Sequence, residues 1–278
     1  MNDPVSAPVG LIAGGGAYPQ VLLGALEVAG HRVVIASVWR QTRRLESGVI
    51  AAQREFPPGS LGEVARFFAD NGVSLAYMAG AVDRRLLPPL AFADRHTARL
   101  LPRILFGGDD GLLRGVAEAF DRMGIVIADP SRYLHGSFAG EGHLAGPFPD
   151  DDLVAQIEFA TAAARDCGRR DRGQSAVFFR GRLAGLEGRE GTNALLSSAP
   201  GPGAVLAKVV KPGQDRRFDL PAIGPSTAML GAMVGLSAIG VEAGGVLLLE
   251  RERLEKACDR NGISLWGLTP PRVPGAGS

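Results

Sequence analysis

The chain has few of the residues that would make its chemistry obvious. Only two cysteines occur in 278 residues, Cys167 and Cys258, far apart and with no Cys-x-x-Cys spacing. That argues against a disulfide framework or a thiolate zinc site and suits two buried thiols in a reducing compartment. No apolar run approaches the ~18 residues that a membrane-spanning helix needs. The opening MNDPVSAPVG carries an acid and no long apolar stretch, so it does not read as a signal peptide. A net charge of +1 gives no basic surface for nucleic acid. The histidines show no HExxH spacing, so the pair at His135 and His143 reads as linker residues. Lysine is the scarcest cation, with three residues against 27 arginines.

Two of those three lysines, Lys208 and Lys211, fall in VLAKVVKPGQDRRFDLPAIGPST, residues 205–227. The first residues alternate as a strand, with Val205, Ala207 and Val209 on one face and Lys208 on the other. Pro212-Gly213 ends it, and a loop with Gln214, Asp215, Arg216, Arg217 and Asp219 follows. Ser226 or Thr227 then caps a helix. Polar chemistry at the end of a strand and before a helix N-terminus is typical of α/β active sites. A compact ammonium suits a phosphate where a planar guanidinium fits differently. The alternative is two solvated lysines on an edge strand.

With 46% apolar and 21% charged residues, the length suits two globular domains. Residues 1–130 read as alternating strands and helices. Val9–Ala13 is a strand that enters Gly14-Gly15-Gly16, and a helix opens at Tyr18-Pro19. A glycine turn feeding a helix N-terminus aims amides at one point, which fits a phosphate, although a tight turn that binds nothing has the same look. Pro19 breaks a GxGxxG pattern, and the strand at 31–38 ends in Trp39-Arg40 without the acid that holds an NAD ribose. Ser60 and Glu63 form a capping box for a helix to Asn71. A strand at 73–78 leads to Gly80, which suits either a ligand close to the backbone or a plain turn. Asp109 and Asp110 open a helix over 111–123, and 125–129 is a fourth strand. This order predicts a parallel, doubly wound sheet whose ligand edge lies near 13–18 and 79–82.

Residues 131–150 read as a linker. Residues 151–278 give a helix at 153–167 headed by three aspartates and a hairpin of 175–179 with 183–187. Next come a short helix from Glu190 through Leu196, the 205–210 strand and an apolar helix over 228–239. A strand at 245–249, a surface helix at 251–260 and a strand at 263–268 follow, with a disordered tail. The expected fold is α/β in two domains: an N-terminal Rossmann-like parallel sheet with helices and a C-terminal mixed α/β domain.

GLIAGGGAYP (10–19), MAGAV (78–82), GDDGLLRGVA (108–117), GQ (173–174), EGTN (190–193), KPGQDRRFDLPAIGPST (211–227) and GVEAG (240–244) together resemble one family. It is the UDP-2,3-diacylglucosamine pyrophosphatase of lipid A biosynthesis, in the type unrelated to calcineurin-like metallophosphoesterases. Signatures of the latter, and a Nudix box, are absent. The resemblance implies a divalent cation, usually Mg²⁺, and hydrolysis of UDP-diacylglucosamine to UMP and acylated sugar 1-phosphate. It implies a cytoplasmic protein in transient contact with the inner membrane, without nucleic acid, and leaves a homo-oligomer open. On residue type, Asp219 and Glu190 are the expected metal carboxylates, and Lys208 and Lys211 the phosphate clamps. Ala13, Gly14, Gly15, Gly16, Gly80, Gln174, Thr192 and Thr227 are the expected substrate contacts. Three departures stand out: Asn193 where the family has Asp, Ala222 where it has Thr, and Arg84-Arg85 where it often has Arg-Pro. Two rivals remain, a nucleotide-sugar-binding protein without metal chemistry and an NADP enzyme using Arg40, Arg43 or Arg44.

Overall fold

The structure is a computed structural model that describes residues 7–82, 94–99, 109–170, 173–188, 190–218 and 220–270. Asp219, Arg84, Arg85, Gly107, Gly108 and the tail from 271 lie outside the described residues. The chain divides into two compact units. One runs to Leu134 and also takes in Asp215–Phe218; the other comprises 135–214 and the chain from 219 onward.

In the first unit, β1 (Val9–Ala13), β2 (Val33–Val38), β3 (Ile50–Phe56), β4 (Leu75–Ala79) and β5 (Val126–Ile127) form a parallel sheet in the order β3-β2-β1-β4-β5. Buried β1 and β2 are the apolar runs expected of strands covered on both faces. β3, IAAQREF, is half polar because it is the edge strand, and its residues carry no apolar alternation to mark it. Helices α1 (Tyr18–Val28), α2 (Leu61–Asp70), α3 (Arg95–Ala98) and α4 (Asp109–Asp121) belong to the same unit. Phe68, Phe120 and Ile125 centre its core, and Phe218 packs against that core from the returning segment. The capping box at Ser60 does not form: Ser60 makes no side-chain cap bond. Asp94 takes that role, accepting from the Gly62 amide at 2.5 Å and from the amides of His96 and Thr97. α4 already includes Asp109 and Asp110.

The second unit is built on a mixed sheet. Its strands are β6 (Gly142–Ala145), β7 (Ser175–Phe179), β8 (Arg182–Leu186), β9 (Ala204–Lys208), β11 (Leu236–Glu242) and β13 (Ser264–Leu268), ordered β6-β13-β11-β9-β7-β8. β13, β11 and β9 run parallel; β6 is antiparallel to β13, β7 to β9, and β8 to β7. A short parallel pair, β10 (Ala222–Ile223) and β12 (Leu247–Leu248), stands apart. Helix α5 (Asp151–Arg169), capped by Asp150 on the Leu153 amide at 2.8 Å, lays Ile157, Ala160 and Ala164 against Val205, Ala207 and Ala238. The opposite face packs with α6 (Gly191–Ser197), α7 (Pro225–Val234) and α8 (Arg251–Asn261) around Leu206, Ile239 and Val241.

Three expectations change here. The apolar run 228–239 is not one helix, because Gly235 adopts the left-handed conformation (φ 74°) that ends α7, and 236–242 is the interior strand β11. An apolar run without period fits either state, and the glycine decides it. Segment 131–150, read as a linker, supplies β6 to the second sheet. β9 is an interior strand, buried at all five positions, so Lys208 is not a solvated edge lysine.

Candidate active site

Register builds the site in the second unit. Ser175 pairs with Lys208 across β7 and β9, and the Glu187 amide donates to the Ser175 carbonyl at 2.9 Å just beyond β8. Residues in register share a face, so an acid, a hydroxyl and an ammonium line up across three strand ends. Thr192, in the first turn of α6, closes the row. Its hydroxyl donates to Glu187 Oε1 at 2.7 Å and accepts from Lys208 Nζ at 2.7 Å, with Ser175 Oγ 3.3 Å away. The Gln174 amide donates to Glu187 Oε2 at 2.8 Å. Glu187 and Lys208 are only 8% and 7% exposed, which makes this a buried polar network and not a surface ion pair.

Burial is the largest influence on Glu187 and pushes its pKa up. The charge of Lys208, with the Thr192, Gln174 and Ser175 hydrogen bonds, outweighs it and holds the carboxyl below its ordinary value. Gln174 Oε1 is buried and has no hydrogen-bond partner among the described residues, an acceptor with capacity left for a ligand donor.

The glycine turn of the first unit is arranged differently from the expected phosphate cradle. The Gly14 amide donates to the Ala79 carbonyl at 2.8 Å. Gly15 and Ala81 exchange backbone bonds of 2.7 and 3.1 Å. Two expected cradle amides are therefore used in lacing the turn after β1 to the turn after β4. The Ala13 carbonyl accepts from Thr42 Oγ1 at 2.5 Å. Gly80 serves this contact, since a Cβ there would lie 2.5 Å from the Gly15 carbonyl oxygen. At Gly16 (φ 90°) an added Cβ would meet nothing within 4 Å.

The other expected residues are dispersed. Thr227 is buried, and its hydroxyl accepts from the Gly224 amide at 3.3 Å to close the start of α7. Lys211 is half-buried, and its amide donates to Gln214 Oε1 at 3.2 Å. Glu190 is exposed at the start of α6 without a cap bond, and Asn193 is exposed in the first turn of that helix. Neither Thr192 nor Asn193 caps it. The charged loop read as one cluster with the lysines is divided. Asp215 belongs with the first unit, where Arg217 binds it at 2.7 Å and Arg114 approaches to 4.0 Å. Glu187 is the main omission from the expected site. In the sequence it closes the hairpin strand beside Glu190, close to Thr192 and Asn193, and only the strand register adds Lys208.

Family models described as the LpxI N-terminal domain and the LpxI C-terminal domain match residues 8–137 and 140–266. The chain belongs to the LpxI family. It is also 33% identical, over 96% of its length and 99% of the relative's, to the UDP-2,3-diacylglucosamine pyrophosphatase LpxI of Caulobacter vibrioides. The two LpxI domain matches meet close to residue 134, where the compact units part. Gln174, Thr192, Lys208 and Glu187 all fall inside the LpxI C-terminal match.

Among the described residues, no three of His, Cys, Asp and Glu gather into a metal-binding group. Glu187 suits a cation poorly, because its oxygens already accept from Thr192 and Gln174 and Lys208 supplies its counter-charge. The exposed carboxylate of Glu190 fits the Mg²⁺ pattern better, in which one or two carboxylates act with substrate oxygens.

Proposed function

We propose that the chain hydrolyses the pyrophosphate bond of UDP-2,3-diacylglucosamine in lipid A biosynthesis, releasing UMP and 2,3-diacylglucosamine 1-phosphate. The observation that carries this is the family match through both halves of the chain, with a pyrophosphatase as the full-length relative. Family membership makes the chain a hydrolase. In the reaction, one water oxygen bonds to a phosphorus while a bridging P–O bond breaks, so negative charge on the phosphate oxygens must be balanced.

Glu190 and Asp219 are the proposed holders of a divalent cation, usually Mg²⁺, which would withdraw charge from the phosphate oxygens. Lys208 and Lys211 contribute fixed positive charge. Gln174 offers its buried side-chain oxygen to a donor on the acylated sugar, and the turn at Gly16 receives the nucleotide side. Among the described residues, no helix is long and apolar enough to cross a membrane. A substrate with two acyl chains resides in a lipid surface, so the proposed enzyme works from the cytoplasm and touches the inner leaflet transiently. Retention on membranes after a high-salt wash would contradict that last point.

The direct test is UMP release from UDP-2,3-diacylglucosamine by the purified chain, with and without Mg²⁺. Metal-dependent UMP is the expected result. Substrate bound without UMP release would make the chain a nucleotide-sugar-binding protein and defeat the proposal.

A further inference from the structure

Hydrogen-bond polarity in the buried row runs one way. An ammonium donates and does not accept, while an ionised carboxylate accepts and does not donate. Thr192 has a single hydroxyl proton, so with Lys208 donating to its oxygen it gives that proton to Glu187. The Gln174 amide fixes the other carboxylate oxygen. Glu187 itself is anchored in the sheet, because its amide bonds the Ser175 carbonyl and β7 pairs Ser175 with Lys208. A lysine this buried requires compensation of its charge, and Glu187 is the carboxylate whose ionisation Lys208 favours.

We propose that Glu187 is a positioning residue: through Thr192 it fixes the direction of the Lys208 ammonium at the carboxyl end of β9, where a pyrophosphate oxygen is received. The proposal rests on the pyrophosphatase reading for its chemistry. The orientation of the ammonium can be read without activity. Glu187 needs no contact with substrate, and its carboxylate acts by removing the rotational freedom of two groups, one of which the reaction uses.

Three lysines in the whole chain make the test practicable. Protein labelled with ¹⁵N at the lysine side chains should show a Lys208 ammonium signal shielded from exchange with water, assigned by its loss in Lys208→Met. Glu187→Gln should weaken or abolish that shielding. The same variant should lower kcat by about 10- to 100-fold with KM changed by less than about 3-fold, the pattern of an interaction made in the transition state. Thr192→Val should repeat both effects and Thr192→Ser should restore them, which keeps the test decisive if Glu187→Gln fails to fold. A shielded Lys208 signal in folded Glu187→Gln overturns the proposal. So does an exposed signal with wild-type kcat, which would leave Glu187 a purely structural partner. Absence of UMP release by the wild type would overturn the pyrophosphatase reading instead, with the Lys208 signal still reporting the geometry.

Discussion

Alanine at Gly80 and alanine at Gly16 should separate the structural use of the glycine turn from its use by a ligand. Both glycines have φ near 90°, and a side chain there costs about 1–2 kcal/mol. At Gly16 the added methyl meets nothing within 4 Å, so that cost stands alone. At Gly80 it would sit 2.5 Å from the Gly15 carbonyl oxygen and 2.9 Å from Pro19 Cγ. The two turns must then part, and the backbone bonds of 2.7 and 3.1 Å between Gly15 and Ala81 go with them. Each such bond contributes about 0.5–1.5 kcal/mol. Gly80→Ala should therefore lose about 2–5 kcal/mol and Gly16→Ala about 1–2 kcal/mol. The chain has one tryptophan in each unit, Trp39 and Trp266, so Trp39 fluorescence in a Trp266→Phe background reports the first unit during urea unfolding. Gly16→Ala should in addition raise KM for the nucleotide substrate if this turn receives it. Equal unfolding midpoints for the two variants, at equal m-values, would refute the laced-turn account.

Asp219→Ala should lower turnover by at least ~10²-fold in a folded protein, the scale of losing one preorganised charge; near-normal UMP release by that variant would remove Asp219 from the mechanism. Glu187 lies below its ordinary value in the fold, so its stabilisation is complete above the unfolded-state value of about 4.3 and is lost as pH falls towards the folded value. Glu187→Gln should flatten this acid limb, and unchanged acid-unfolding curves would count against the buried row. Asn193→Asp should lower the Mg²⁺ concentration for half-maximal rate if position 193 faces the cation. Superimposable Mg²⁺ titrations would exclude it from that site. Chelation of divalent metal should abolish UMP release, and added Mg²⁺ should restore it; full activity in chelator would refute the metal requirement.

The parts of the fold that were legible in the sequence are those where one local signal dominates. The strand at Val9–Ala13, the Pro19 helix start and the Asp150 cap each have a single physical reason, and each is present within a residue or two. The hairpin turn is equally plain, since Arg180-Gly181 takes positive φ at both positions, as two-residue hairpins prefer. β3 escaped notice because an edge strand with Gln53, Arg54 and Glu55 has no apolar alternation. The run from Ala228 to Ile239 misled because helix and interior strand are both wholly apolar there. At the candidate site, the scarcity of lysine singled out Lys208, and the motifs singled out Thr192 and Gln174. The link through Glu187 depends on the register of three strands, which no local pattern encodes.

Placement of β13 has a consequence for how the molecule is made. β6, at residues 142–145, is held in the second sheet by β13, at 264–268, which also lies against β11. As the chain leaves the ribosome, β7, β8, β9 and β11 can assemble in turn, but β6 has no neighbour until β13 has emerged. Until β13 arrives, β11 itself presents an unpaired interior edge of the kind that recruits foreign strands. Such distant pairing is slow to form, so the interval between synthesis of β11 and of β13 is the one in which this protein most needs a chaperone.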